Sequence, residues 1–282
     1  MEVKRAEHAG FCKGIARALE LAREAIEKNP PPNNVAMLGE LTHNPGAVAE
    51  LEAQGARVVD SIDEVDSGTV ITRAHGVPPE VITAAEAKGL EVVDTTCKRV
   101  KTVQKIVRWL SENDYTVVIV GEPEHPEVVS VKARAGDNAI VIQSPDDLPS
   151  DFSSNAQIGV VSQTTQTAEA FDAVVDTLKD RGIVPKVYKT RCNATKERQD
   201  AAIELAKRVD VMLVIGGPKS SNTAKLAEVS REFCSETYLI QGPDDVNSAW
   251  FNGVESVGIT AGASTPEEQI FAVENHLRTI FS

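Results

Sequence analysis

Aromatic residues, cysteines and positive charge are all scarce in this chain. Phe, Trp and Tyr make up 4% of its 282 residues, too few for the stacking platforms that hold single-stranded nucleic acid. Its 29 Lys and Arg stand against 42 Asp and Glu, for a formal net charge of −13. Such a surface opposes contact with a phosphate backbone over any large area. A single pocket can still differ from the whole and take a small anion. No apolar run of about 18 residues occurs, so no membrane-spanning helix is expected. The opening residues MEVKRAEHAG have no apolar signal core and are not a Ser- and Arg-rich transit peptide. A cytoplasmic, reducing location is therefore expected. Four cysteines are too sparse for a disulfide scaffold. They are fillers, nucleophiles or metal ligands, and their placement decides which.

An internal repeat supplies that placement. Three β-branched runs each end in glycine and a polar loop: Val35–Gly39, Val117–Gly121 and Val211–Gly216. They read as buried parallel strands. Four residues beyond each glycine stand His43, His125 and Ser220. A second set of matches covers Val59–Val65, Ile142–Leu148 and Ile240–Val246. A third set of strands, GTVITRAHG, IGVVSQTT and VGITAGAS, ends at His75, Thr164 and Ser264. Cys12, Cys97 and Cys192 precede His43, His125 and Ser220 by 31, 28 and 28 residues, and each opens a stretch with helical apolar spacing. The pattern predicts an α/β fold of three similar units with parallel sheets, spanning residues 1–96, 97–191 and 192–282. Strand ends would face a common centre with pseudo-threefold symmetry.

Three in-phase cysteines narrow the chemistry. Structural zinc takes four protein ligands, often as CxxC pairs, and no such pair exists. A nucleophile needs one cysteine and leaves two unexplained. A cubane iron–sulfur cluster suits thiolates, and three of them leave one iron open as a Lewis acid. Helix N-termini also favour thiolate. Cys234 has no repeat partner and reads as a small buried hydrophobe. The strand-end residues His43, His75, Thr164, Ser220, Ser221, Asn222 and Ser264 are imidazole and neutral donors suited to an anion cradle. Glu127 is a candidate proton carrier, or equally a first-turn glutamate complementing a helix dipole; Glu124 competes for the role.

Nine short motifs follow in order: GFCxG at 10–14, HN at His43, AHG at 74–76, DTTC at 94–97, HPEV at 125–128, SQTT at 162–165, CNATxxRQ at 192–199, SSN at 220–222 and TAGAS at 260–264. Through them the chain resembles, over nearly its whole length, the 4-hydroxy-3-methylbut-2-enyl diphosphate reductases. These are the iron–sulfur enzymes that end the non-mevalonate isoprenoid pathway. The resemblance implies one [4Fe–4S] cluster per chain on Cys12, Cys97 and Cys192. It implies that the fourth iron binds the substrate's hydroxyl or alkoxide oxygen. Two electrons and two protons then remove that oxygen as water, leaving isopentenyl and dimethylallyl diphosphate. It also implies that His43, His75, His125, Ser220, Ser221, Asn222 and Ser264 bind the diphosphate, that Glu127 donates the proton, and that Thr164 lies near the substrate hydroxyl. A ferredoxin or flavodoxin is the implied electron donor. One departure is that Lys98 and Arg99 follow Cys97 where Pro and an apolar residue are expected.

Two alternatives compete. A quinolinate-synthase-like dehydratase shares the three-unit plan and open iron, but its carboxylate substrates call for Arg or Lys, whereas the loops here carry histidines and hydroxyls. A non-enzymatic iron–sulfur sensor needs an output module such as a basic DNA-reading helix, and none is visible.

Overall fold

The computed structural model describes residues 1–30, 34–153 and 155–281. Strand β1 (Glu2–Arg5) leads to helix α1 (Lys13–Lys28), β2 (Val35–Leu38), α2 (Pro45–Ala53), β3 (Ala56–Val59), β4 (Thr69–Ile71), α3 (Pro79–Ala87) and β5 (Glu91–Val93). Next come α4 (Lys98–Glu112), β6 (Thr116–Val120), α5 (Pro126–Lys132), β7 (Ala139–Ile142), β8 (Ile158–Ser162), α6 (Ala168–Asp180) and β9 (Lys186–Val187). The chain closes with α7 (Asn193–Ala206), β10 (Val211–Ile215), α8 (Ser221–Arg231), β11 (Thr237–Ile240), β12 (Ser256–Ala261) and α9 (Glu267–Ile280).

The strands form three four-stranded sheets, ordered β3-β2-β4-β5, β7-β6-β8-β9 and β1-β12-β10-β11. Every pairing is parallel. Each contains the two strand sets seen in the repeat, β2/β6/β10 and β4/β8/β12. Its third strand is β3, β7 or β11. These three end where the second set of sequence matches begins, and a one-turn 3₁₀ helix follows each.

The fourth strands, β5, β9 and β1, sit at sheet edges immediately before the cysteines. They pair with β4, β8 and β12 respectively. The sheet of the last repeat thus takes its edge strand from the chain's first residues.

Parallel strands are buried on both faces, so their residues alternate between two cores rather than between core and water. In β6, Val117 and Ile119 pack with Val100, Val107 and Leu110 of α4. Val118 and Val120 pack with Phe171, Val174 and Leu178 of α6. In β10, Val211, Leu213 and Ile215 meet Ile270, Val273 and Leu277 of α9, while Met212 and Val214 join separate clusters on the other face. Each fully buried aliphatic side chain contributes about 1.5–3 kcal/mol.

Contacts divide the chain into two compact units: Met1–Ala16 with Thr42–Val48 and Asn193–Ser282, and Arg17–Leu41 with Ala49–Cys192. The first holds the sheet of β1, β10, β11 and β12; the second holds the other two. Among the described residues no helix is long and apolar enough to cross a membrane.

Candidate active site

The three cysteines share one local construction. Each is the residue immediately before a helix: α1, α4 and α7 begin at Lys13, Lys98 and Asn193. Each also donates its amide to the loop after the third-set strand. Cys12 donates to the Ala263 carbonyl at 3.0 Å, Cys97 to Ala74 at 2.9 Å and Cys192 to Thr164 at 3.0 Å. The cysteine loops are thereby tied to the loops that carry Ser264, His75 and Thr164. None of the three is in a disulfide, and each is half-buried. Cys12 Sγ accepts from the Ile15 amide at 3.4 Å. A thiol at the start of a helix is the kind of ligand an iron–sulfur cluster takes.

Cys234 differs in every respect. It is buried with Leu205, Ala206 and Met212, its thiol contacts the Asp210 carbonyl at 3.4 Å, and burial pushes its pKa up. A thiol held protonated in this way is inert.

In the first unit, the loops after β10 and β12 flank the start of α8. Ser220 caps that helix, its hydroxyl accepting from the Thr223 amide at 3.2 Å. Ser221, Asn222 and Ser264 are buried. The Asn222 side-chain amide is buried with neither Nδ2 nor Oδ1 partnered among the described residues. Leaving such a group unpaired costs free energy, and a ligand bearing both acceptors and hydroxyl groups offsets that cost. The Thr265 hydroxyl donates to the Ile215 carbonyl at 3.0 Å and fixes the Ser264 loop on the end of β10.

His43 enters the same unit through its backbone. A β-carbon at Gly217 would stand 2.1 Å from the His43 carbonyl oxygen, so only glycine lets the two loops approach this closely. Gly217→Ala is expected to cost about 1–3 kcal/mol through the forced backbone shift, read as a lower thermal midpoint. An unchanged midpoint would mean the loops are further apart than this.

In the second unit, His75 and Thr164 lie on the loops that hold the Cys97 and Cys192 amides, with His125 against His75 and Glu127 against Thr164. His125 caps α5, its Nδ1 accepting from the Glu127 amide at 3.1 Å. That bond leaves the proton of a neutral imidazole on Nε2, as a donor. The His75 and His125 rings meet edge to face with centroids 5.2 Å apart. The Ser130 hydroxyl donates to the His75 carbonyl at 2.9 Å.

Glu127 is buried, and both its oxygens meet Thr164. The Thr164 amide donates to Oε1 and its hydroxyl to Oε2, each at 2.6 Å. Burial raises the carboxyl's pKa above its ordinary value, the two Thr164 bonds pull it down, and the nearby Glu122 charge pushes it up again. Glu124, by contrast, is exposed.

Two positioning residues give no clear sequence signal. Buried Arg198 of α7 donates to the Gly10 carbonyl at 2.6 Å, two residues before Cys12. Arg99 of α4 donates to the carbonyls of Lys189, Thr190 and Arg191, at 2.9, 3.1 and 2.6 Å, just before Cys192. An arginine on a helix ordinarily reads as a solvated charge. Only its place within a cysteine-bearing motif sets Arg198 apart.

Residues 3–278 match the family described as LytB protein. A protein of Pelobacter propionicus named 4-hydroxy-3-methylbut-2-enyl diphosphate reductase is 44% identical over 267 residues, covering 95% of this chain and 94% of that one. One of Geobacter metallireducens with the same name is 42% identical over 282 residues, covering 100% and 99%. Among solved structures, one described as (E)-4-hydroxy-3-methyl-but-2-enyl diphosphate reductase, the terminal enzyme of the non-mevalonate pathway, superposes with a TM-score of 0.71 at 39% identity over 99% of this chain and 100% of its own. The Plasmodium falciparum E-1-hydroxy-2-methyl-but-2-enyl-4-diphosphate reductase gives 0.90 at 26% identity, covering 100% and 88%. With matches of this length and identity, the chain belongs to the LytB protein family.

Proposed function

We propose that the chain is an oxidoreductase that converts 4-hydroxy-3-methylbut-2-enyl diphosphate to isopentenyl and dimethylallyl diphosphate. The allylic C–O bond breaks, a C–H bond forms, and two electrons and two protons release the oxygen as water. The three units, residues 1–96, 97–191 and 192–282, each deliver one cysteine, and Cys12, Cys97 and Cys192 hold one [4Fe–4S] cluster. When bound, that cluster supplies the electrons and, at its iron without a cysteine, a Lewis acid. A ferredoxin or flavodoxin in a reducing cytoplasm refills it.

The protein's own residues bind the anion and manage the proton. Ser220, Ser221, Asn222 and Ser264 with His43, and His75 with His125, surround the diphosphate with neutral or imidazole donors. Glu127 holds the proton that makes the departing oxygen a water. Protonated Glu127 passes it through the Thr164 hydroxyl, which both donates and accepts. The observation that supports this reading best is the double role of Thr164. Its amide and hydroxyl hold the buried Glu127 carboxyl, and its carbonyl holds the Cys192 amide, so acid and cysteine are linked through one residue.

The test is anaerobic reconstitution followed by iron analysis and turnover of the allylic diphosphate with a reduced dye. Iron near zero, or zinc in its place, would overturn the reading. Within it, His43→Ala and Ser264→Ala are each expected to weaken substrate binding roughly tenfold to a hundredfold. That is the effect of losing about 1.5–3 kcal/mol with a charged ligand, and cluster content should be unchanged. Unaltered affinity in both variants would put the diphosphate elsewhere.

A further inference from the structure

Basic residues are unevenly spread along the chain. Nine of the 29 Lys and Arg fall within residues 95–111 and 181–192, which contain none of the 42 acids; the other 253 residues carry the remaining 20 and every Asp and Glu. Cys97 lies in the first stretch and Cys192 ends the second. The fold joins the two stretches. Arg99 binds three consecutive carbonyls of the second, at Lys189, Thr190 and Arg191. Further along α4, the Lys186 ammonium of edge strand β9 lies 4.1 Å from the Trp109 ring centroid and 5.4 Å from that of Tyr115.

Lys98, Lys105 and Trp109 recur at helical spacing, so they share one face of α4, and all three are exposed. Lys186, Val187 and Lys189 are exposed beside them, as is Val184. Of the acids bordering α4, Asp94 pairs with Lys101 at 2.7 Å and Glu112 with Arg108 at 2.7 Å, while Asp114 is exposed. Among the described residues, no carboxylate pairs with Lys98, Lys105, Lys186 or Lys189. The result is a small apolar centre with a rim of uncompensated ammonium groups, in a chain that is otherwise strongly acidic. Transient electron-transfer contacts are small, and complementary charge there sets encounter rate and orientation.

We propose that Lys98, Lys105, Lys186 and Lys189, around Trp109 and Val187, form the docking surface for an acidic one-electron carrier protein. The inference rests on the reductase reading above. The reduced carrier gives up one electron per encounter and leaves oxidised, and two encounters supply the pair the reaction consumes. Electrons enter beside Cys97 and Cys192, the cysteines that adjoin the two stretches.

The test uses the reconstituted holoenzyme and a reduced ferredoxin of net negative charge. The double variant Lys105→Glu/Lys189→Glu is compared with the wild type and with Lys28→Glu/Lys207→Glu, which changes net charge equally elsewhere. Titration calorimetry at low ionic strength is expected to show at least about tenfold weaker ferredoxin binding for the first pair only. That difference should collapse at about 0.5 M salt. Turnover driven by dithionite-reduced methyl viologen should match wild type. Equal weakening in the control pair, unchanged ferredoxin binding, or a matching loss with viologen would each overturn the docking surface. Wild-type protein without cluster or viologen turnover would instead overturn the reductase reading on which it stands.

Discussion

Serine in place of Cys12, Cys97 or Cys192 is expected to abolish cluster binding and, with it, all detectable turnover. Two remaining thiolates cannot hold a cubane against loss of iron, and a serine hydroxyl is far too weak an acid to replace the third. Each serine keeps the amide bond to Ala263, Ala74 or Thr164, because that bond is made by the backbone. The apoproteins should therefore keep their circular dichroism while losing iron and visible absorption. Cys234→Ser is the matched control. Its thiol is buried against the Asp210 carbonyl, so the variant is expected to retain iron in full. Iron loss in Cys234→Ser, or full retention in any of the other three, would refute the ligand assignment.

Glu127→Gln is expected to lower turnover about 10²–10⁴-fold, the usual worth of a positioned general acid, with cluster and substrate binding intact. The amide keeps the carboxyl's shape and can still accept the Thr164 amide, but it cannot ionise and be reprotonated. The pH profile carries a second signature. Burial raises the Glu127 pKa from the ordinary value of 4.5, so the acid form persists to higher pH, and turnover should fall as pH rises through the raised value. Stability follows the same sign. Between the ordinary and the raised pKa the folded chain binds more protons than the unfolded one, so Glu127 makes stability decline with rising pH. Glu127→Gln should flatten that decline. A wild-type rate in Glu127→Gln together with an inactive Glu124→Gln would move the role to Glu124.

How much was legible beforehand depended on periodicity and phase. Runs such as Val117–Gly121 and Val211–Gly216 are continuous and β-branched because both of their faces are buried, so they read as parallel strands. The cysteines were legible because they keep register with those strands. Strands β5 and β9 were not, since three residues and two exposed residues carry no period. Nor could composition alone separate Glu127 from Glu124. The distinction is burial, which His125 decides by capping α5 so that residue 127 turns inward and 124 stays in the preceding exposed loop. The partners of Arg99 and Arg198 carry no sequence signal, because they are carbonyls about 90 and 188 positions away, and main-chain acceptors leave no mark in a sequence.

The pairing of β1 with β12 constrains when the protein can be completed during synthesis. Glu2 pairs with Ser256 and Arg5 with Ile259, and the Cys12 amide waits on the carbonyl of Ala263. Of the three cysteines that precede helices, the first to leave the ribosome is thus the last to be fixed. Its loop has no docking partner until almost the entire chain has emerged, although the Cys97 loop can close on residues already made. Contacts of such long range are slow to form, and domains otherwise tend to fold from the N-terminus as they appear. On the proposed ligand assignment, a nascent chain is thereby kept from closing its three-thiol site before its final strand is in place.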